Sequence, residues 1–194
     1  MPSWPRSRQA ALYVGSRWLT AGMRKLVVVA VLLVLAASAA AYTVQRQPPA
    51  GSCHARGKGT VALPDPHCTP GLRDRRVTQR NLASTVCHAG YSKSVRPPES
   101  VTEPEKLASM RAYGDRDSPR HYEYDHLISL ELGGSPNDPR NLWPEPGASP
   151  NFKDRVENRL HTQVCHGAIS LASAQHQIAT DWVAAYRRLF GATP

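Results

Sequence analysis

Apolar positions recur along this chain with three periods, and each predicts a different element. Phe152, Val156, Leu160 and Val164 recur every four residues, which places them on one stripe of a helix that Ser149 opens and Gly167 closes. Leu171, Ala174, Ile178, Trp182, Ala185 and Leu189 trace a second helical stripe, with Ser170 as N-cap and Gly191 just past its end. Thr102, Pro104 and Glu105 form a helix start with a capping box, so a helix is expected over 102–113, stopped by Gly114. Alternating stretches in 122–132 (YEYDHLISLEL) predict a strand that ends at Gly133-Gly134, and 141–143 predicts a short return strand ended by Pro144. Residues 91–95 read as a short strand stopped by Pro97-Pro98, and 77–86 as a short helix.

A fourth pattern has no polar stripe at all. Residues 26–41 (LVVVAVLLVLAASAAA) are uncharged, follow Arg24-Lys25 and end in small residues that fit an A-x-A cleavage site. The run is shorter than the ~20 residues of a spanning helix. Residues 1–41 are therefore expected to be a signal peptide or a membrane anchor, and Met23 offers a start that would make 1–22 a mis-called leader. Either form exports the body to the periplasm or beyond, with a membrane as partner only where the leader stays uncleaved. Residues 42–66, rich in Pro, Gly and polar residues, read as a linker, and 67–191 as the folded domain.

Composition sharpens this. The chain has 194 residues, 41% of them hydrophobic, which suits one globular domain and argues against a disordered chain. Of the net charge of +9, five positive charges and no acid lie in 1–41, so the body is only mildly basic. That permits phosphate contact without demonstrating it. Export makes the four cysteines candidates for pairing. Among three connectivities, Cys53–Cys68 and Cys87–Cys165 are preferred because the near pair closes a short loop. Cys-His dipeptides at 53, 87 and 165 match no usual zinc spacing.

The candidate chemistry is concentrated between residues 125 and 151. Asp125-His126, Gly133-Gly134, Asn141-Leu142 and Asn151 follow in order across strand, loop, strand and helix start. A carboxylate is a hard ligand for Mg²⁺ or Mn²⁺. An imidazole can take a proton from water. At a strand end, adjacent side chains can reach one site. Arg140, Lys153, Arg155 and Arg159 are candidates for phosphate contact, against a plain solvated face or, for Arg155 and Arg159, a helix ion pair near Glu157; Glu123 and Glu131 read as solvent-facing strand residues, and Trp143 as core.

At these residues the sequence resembles the HNH family of ββα-metal nucleases, through DHLISLELGGSPNDPRNLWPEPGASPNFKD within roughly 121–161. The extended form, with KDRVENRLH and IATDW, is similar to a group of exported bacterial proteins that carry this motif. The resemblance implies an α+β fold with a hairpin-plus-helix core and flanking helices. It implies that Asp125 and Asn151 bind a divalent metal, Mg²⁺ or Mn²⁺ ahead of Zn²⁺, that His126 is the general base, and that Asn141 holds the metal loop and orients His126. The third ligand position carries Asn151 where many relatives have His, and Asp154 is its substitute. The implied function is a metal-dependent endonuclease acting on DNA ahead of RNA. The rivals are a non-catalytic nucleic-acid-binding protein and a structural envelope protein on the same scaffold.

Overall fold

A computed structural model describes residues 42–194, and the leader expected over 1–41 lies outside them. The architecture is mixed α+β: a one-turn helix α1 (Tyr91–Ser94), helix α2 (Glu99–Tyr113), a hairpin of β1 (Tyr122–His126) and β2 (Leu142–Pro146), and two long helices, α3 (Phe152–Cys165) and α4 (Leu171–Phe190). No helix among the described residues is long and apolar enough to cross a membrane.

The hairpin is a two-stranded antiparallel sheet in which Asp125 faces Trp143 and His126 faces Leu142. With one partner per strand, both strands are edges. β2 therefore runs through Pro144 and Pro146, whose missing N–H groups break no second ladder. The expected strand over 122–132 is shorter than its sequence pattern. β1 stops at His126, and 130–132 winds into a 3₁₀ turn closed by Gly133 at φ 72°. Leu127, Ile128, Leu130 and Leu132 are all buried, so burial on several sides rather than alternation explains the apolar run.

The two stripes pack as expected except at Phe152, which is 37% exposed. Val156, Leu160 and Val164 of α3 meet Leu171, Ala174, Ile178 and Trp182 of α4 in one cluster with Leu127, Ile128 and Leu132 from the hairpin loop. Ser170 caps α4 through a bond from the Ser173 amide, and Gly191 ends it at φ 66°. At Asp181 the backbone leaves helical geometry (φ −164°, ψ 92°), and its Oδ1 accepts from the Ala184 amide, capping the second half of the helix.

Three local expectations are corrected. Residues 91–94 are a helical turn entered from Gly90 at φ 83°, not a strand, and 77–86 holds only a 3₁₀ turn at Leu82–Ser84. Helix α2 begins at Glu99, one turn before Thr102, because buried Val101 draws that turn onto the core; Gly114 ends it as expected. Glu105 is then no capping residue. It is fully buried and accepts from the Gln45 amide at 2.6 Å.

Both disulfides form as preferred, Cys53–Cys68 and Cys87–Cys165. The second ties the segment before α1 to the end of α3. Residues 42–66 contain no strand or long helix, yet they are fastened to the domain: Tyr42 donates to the Val95 carbonyl, and the Trp182 indole donates to the Ala62 carbonyl.

Candidate functional site

His126 is the last residue of β1, and its backbone carbonyl and that of Asp125 lead into a loop tethered by Asn141. The Asn141 side chain is fully buried. Its Oδ1 accepts from the Ile128 amide at 3.0 Å, and its Nδ2 donates to the carbonyls of Ile128 and Ser135, each at 3.0 Å. Gly134 lies against this amide so closely that any Cβ there would collide with the Ile128 carbonyl and crowd Asn141 Nδ2. The Gly-Gly pair is thus a packing requirement as well as a turn.

The next carbonyl along, that of Pro136, fixes His126. It lies 2.9 Å from His126 Nε2. A carbonyl only accepts, so Nε2 carries the proton and Nδ1 keeps a lone pair. His126 is 5% exposed, and burial pushes its pKa down to about 4 against the opposing pull of the Pro136 bond. The ring is neutral at physiological pH, the state in which a histidine can accept a proton.

His126 and Asp125 line the same small cavity of about 120 Å³, with Glu123, Ser129, Asp154, Glu157 and Arg96 among its walls. The strand end thus does what the sequence requires, bringing two neighbours to one site. Glu123 is no solvent-facing strand residue: burial, with the charges of Asp125 and Asp154, pushes its carboxyl up to about 7. Glu131 is a half-buried residue of the 3₁₀ turn, 3.8 Å from the His161 ring.

Lys153 decides the electrostatics. Its ammonium is buried and donates to Asp125 Oδ2 at 2.6 Å, to Glu157 Oε1 at 2.5 Å and to the His126 carbonyl at 2.8 Å. Three acceptors saturate its three N–H groups. Burial opposes its charge, but Asp125, Glu157 and Glu145 outweigh that and hold its pKa well above the usual lysine value. Glu145 on β2 is buried beside Asp125. Burial, with the charge of that neighbour, pushes its carboxyl well above the ordinary glutamate value. Glu157 is likewise pushed up, to about 8, chiefly by burial. Sequence reasoning gave Lys153 to phosphate contact, set Glu157 beside Arg155 and Arg159, and missed Glu145; Glu157 pairs with Lys153 and with neither arginine. The four-residue spacing of Lys153 and Glu157 was the one available signal.

Asn151 is the N-cap of α3. Its Oδ1 accepts from the amides of Lys153 and Asp154, and Asp154 returns a bond to the Asn151 amide at 2.7 Å, a complete capping box. Ser149, expected as the cap, instead donates to Asp154 at 3.1 Å. Asn151 is not among the residues that wall the His126 cavity.

The donors around Asp125 do not amount to a ready-made divalent metal site. One Asp125 oxygen is held by Lys153, the Asn151 oxygen is held by its own helix, and one oxygen of the Asp154 substitute is taken by the cap. Among the described residues, the one group of three metal-type ligand atoms lying together is Cys87, His161 and Cys165. There the two sulfurs are bonded to each other, so neither is a thiolate.

Of the other candidates, Arg140 is paired with Asp138 at 2.7 Å, and Trp143 is core, fully buried against Tyr113. Arg96, which no sequence signal marked, is exposed and lines the cavity. Comparison with protein-family models, curated proteins and solved structures finds no match to this chain.

Proposed function

We propose that this protein hydrolyses phosphodiester bonds in nucleic acid, with His126 Nδ1 as the general base that activates water. One observation carries the reading: a buried, neutral imidazole whose tautomer is set by the Pro136 carbonyl, in the wall of a polar cavity. Asn141 is its positioning residue, because it holds the Ser135 carbonyl next in sequence to Pro136. Arg96 supplies the exposed guanidinium at the cavity wall, matched in charge to a phosphate oxygen. DNA is the expected substrate, ahead of RNA, in an exported setting that two disulfides are consistent with.

The Mg²⁺ or Mn²⁺ expected on Asp125 and Asn151 would meet one Asp125 oxygen and the Asn151 oxygen already engaged, and the proposal of His126 as base does not depend on it. That same observation favours the second reading, a nucleic-acid-binding protein without catalysis on this scaffold.

One experiment separates them. Supercoiled plasmid is incubated with wild-type protein and with His126→Ala, in Mg²⁺, in Mn²⁺ and in chelator. Nicking by wild type alone supports hydrolysis, and its persistence in chelator assigns it to the protein's own groups. Nicking that survives His126→Ala rejects the base, and binding without nicking in every arm leaves the second reading.

A further inference from the structure

The His126 cavity is not isolated. It opens into a neighbouring hollow of about 330 Å³ through shared walls at Arg96, Ser129, Asp154 and Glu157. That hollow and a third, also of about 330 Å³, share one wall residue, Asn158 of α3. All three have walls on α3.

The chemistry changes between them. Near His126 the walls are carboxylates. In the third they are Arg155, Arg159 and Phe190. The Arg155 guanidinium lies 4.7 Å from the Phe190 ring centre and the Arg159 guanidinium 5.9 Å. Tyr186 backs the ring at 4.7 Å between centres. Arg187 and Arg188 are exposed at the same end of α4. None of these four arginines makes an ion pair among the described residues, as is true of most arginines there, and Arg155 donates to the Tyr186 hydroxyl. A neutral or basic partner would leave four cations unmatched. A polyanion would not.

The geometry points to a binding platform for a single nucleic-acid strand in the Arg155–Arg159–Phe190 hollow. Phosphates of that strand meet Arg159 and its neighbours, and a base stacks at the Phe190 ring, while the strand runs across α3 towards His126. An arginine lying on an aromatic ring adds a planar cation to the stacking surface, and such platforms accept any base because every base has a π-face. The direction of the strand rests on the hydrolytic reading above; the platform itself does not.

The test is fluorescence anisotropy in chelator, which isolates binding from cutting. The probes are labelled twelve-nucleotide oligothymidine and oligouridine strands, an abasic strand of equal phosphate count, and the DNA duplex. Phe190→Leu keeps an apolar side chain packed on Tyr186 but removes the π-face. It should weaken binding of the base-bearing strands by about fivefold or more, the low end for one lost stack, and leave the abasic strand bound as by wild type. Arg159→Ala should weaken all strands and reduce the slope of log affinity against log salt by about 0.7, one single-strand phosphate contact. The thymidine and uridine arms rank DNA against RNA as the source of the strand. Equal binding by wild type and both variants overturns the platform. So does a loss in Phe190→Leu that is the same for the abasic strand, or a duplex bound more tightly than the strand. A platform that passes this test beside a protein that never nicks DNA would bring down the hydrolytic reading alone.

Discussion

Lys153 shows how far one side chain can depart from its usual place. Lysine is almost never fully buried unless paired, and here the pairing spans two elements: Asp125 on β1 and Glu157 one turn along α3. Removing one member of a buried ion pair strands the other, at a cost of about 3–5 kcal/mol. Lys153→Met should therefore lower stability by an amount in that range, read by urea unfolding. A loss under about 1 kcal/mol, the scale of a surface pair, would mean that the ammonium is solvated. Asn141 makes a parallel case with neutral groups. Asn141→Ala leaves two carbonyls and an amide of the 128–135 loop without their partner, and each stranded buried group costs about 1–3 kcal/mol. Unfolding should register the sum of at least two such groups; a change within ±0.5 kcal/mol would show that water replaces the amide. Asp125, His126 and Asn141 were legible from sequence because the pattern gives residue type and order together. Lys153 and Glu145 were not, because polarity predicts exposure, and the partner that reverses the expectation lies 28 residues away in the first case and on the opposite strand in the second.

Elements were legible where a period ran long enough. The stripes of α3 and α4 extend over four and six repeats, and both helices stand where the sequence puts them. Short segments misled. Residues 91–95 read as a short strand, yet their two apolar positions, Tyr91 and Val95, stand four apart as in a turn of helix, and left-handed Gly90 turns the chain into it. Helix starts misled as well, since Ser149, Asn151 and Asp154 are all capping types and only the local backbone chooses among them. Asn151 gives a test of role at this scale. Asn151→Ala should cost ~1 kcal/mol, the usual worth of an N-cap, and Asn151→Asp should recover it. Metal affinity measured by calorimetry on the same variants should not change. Loss of Mn²⁺ binding in Asn151→Ala would return that residue to the metal.

The whole molecule is held by a packed core and two cross-links of unequal reach. Cys53–Cys68 spans 15 residues and Cys87–Cys165 spans 78. A longer closed loop removes more freedom from the unfolded chain, about 3 kcal/mol for 15 residues and over 4 for loops of this larger size in the loop-entropy account. Cys87→Ser with Cys165→Ser should therefore lower the melting temperature more than Cys53→Ser with Cys68→Ser. The reverse order would locate the main constraint in the 42–70 segment. Acid adds a second handle. Burial raises the pKa of Asp65, but bonds from the amides of His54, His67 and Cys68 outweigh it and hold the group below its ordinary value. A depressed folded pKa contributes stability that is complete above the unfolded value of about 3.9 and disappears as pH falls through the folded one. Asp65→Asn should be the less stable protein at neutral pH and should lose less than wild type on acidification below about pH 4; parallel acid curves would exclude Asp65 as a stabilising carboxylate. The claim on which the functional account turns is that His126 delivers water to phosphorus. Single-turnover cleavage of a defined oligonucleotide in ¹⁸O-water, followed by mass spectrometry, reads that step. The account predicts one ¹⁸O on the newly formed terminal phosphate for each cut by wild type and no labelled product from His126→Ala; labelled product from His126→Ala at the wild-type rate would contradict it.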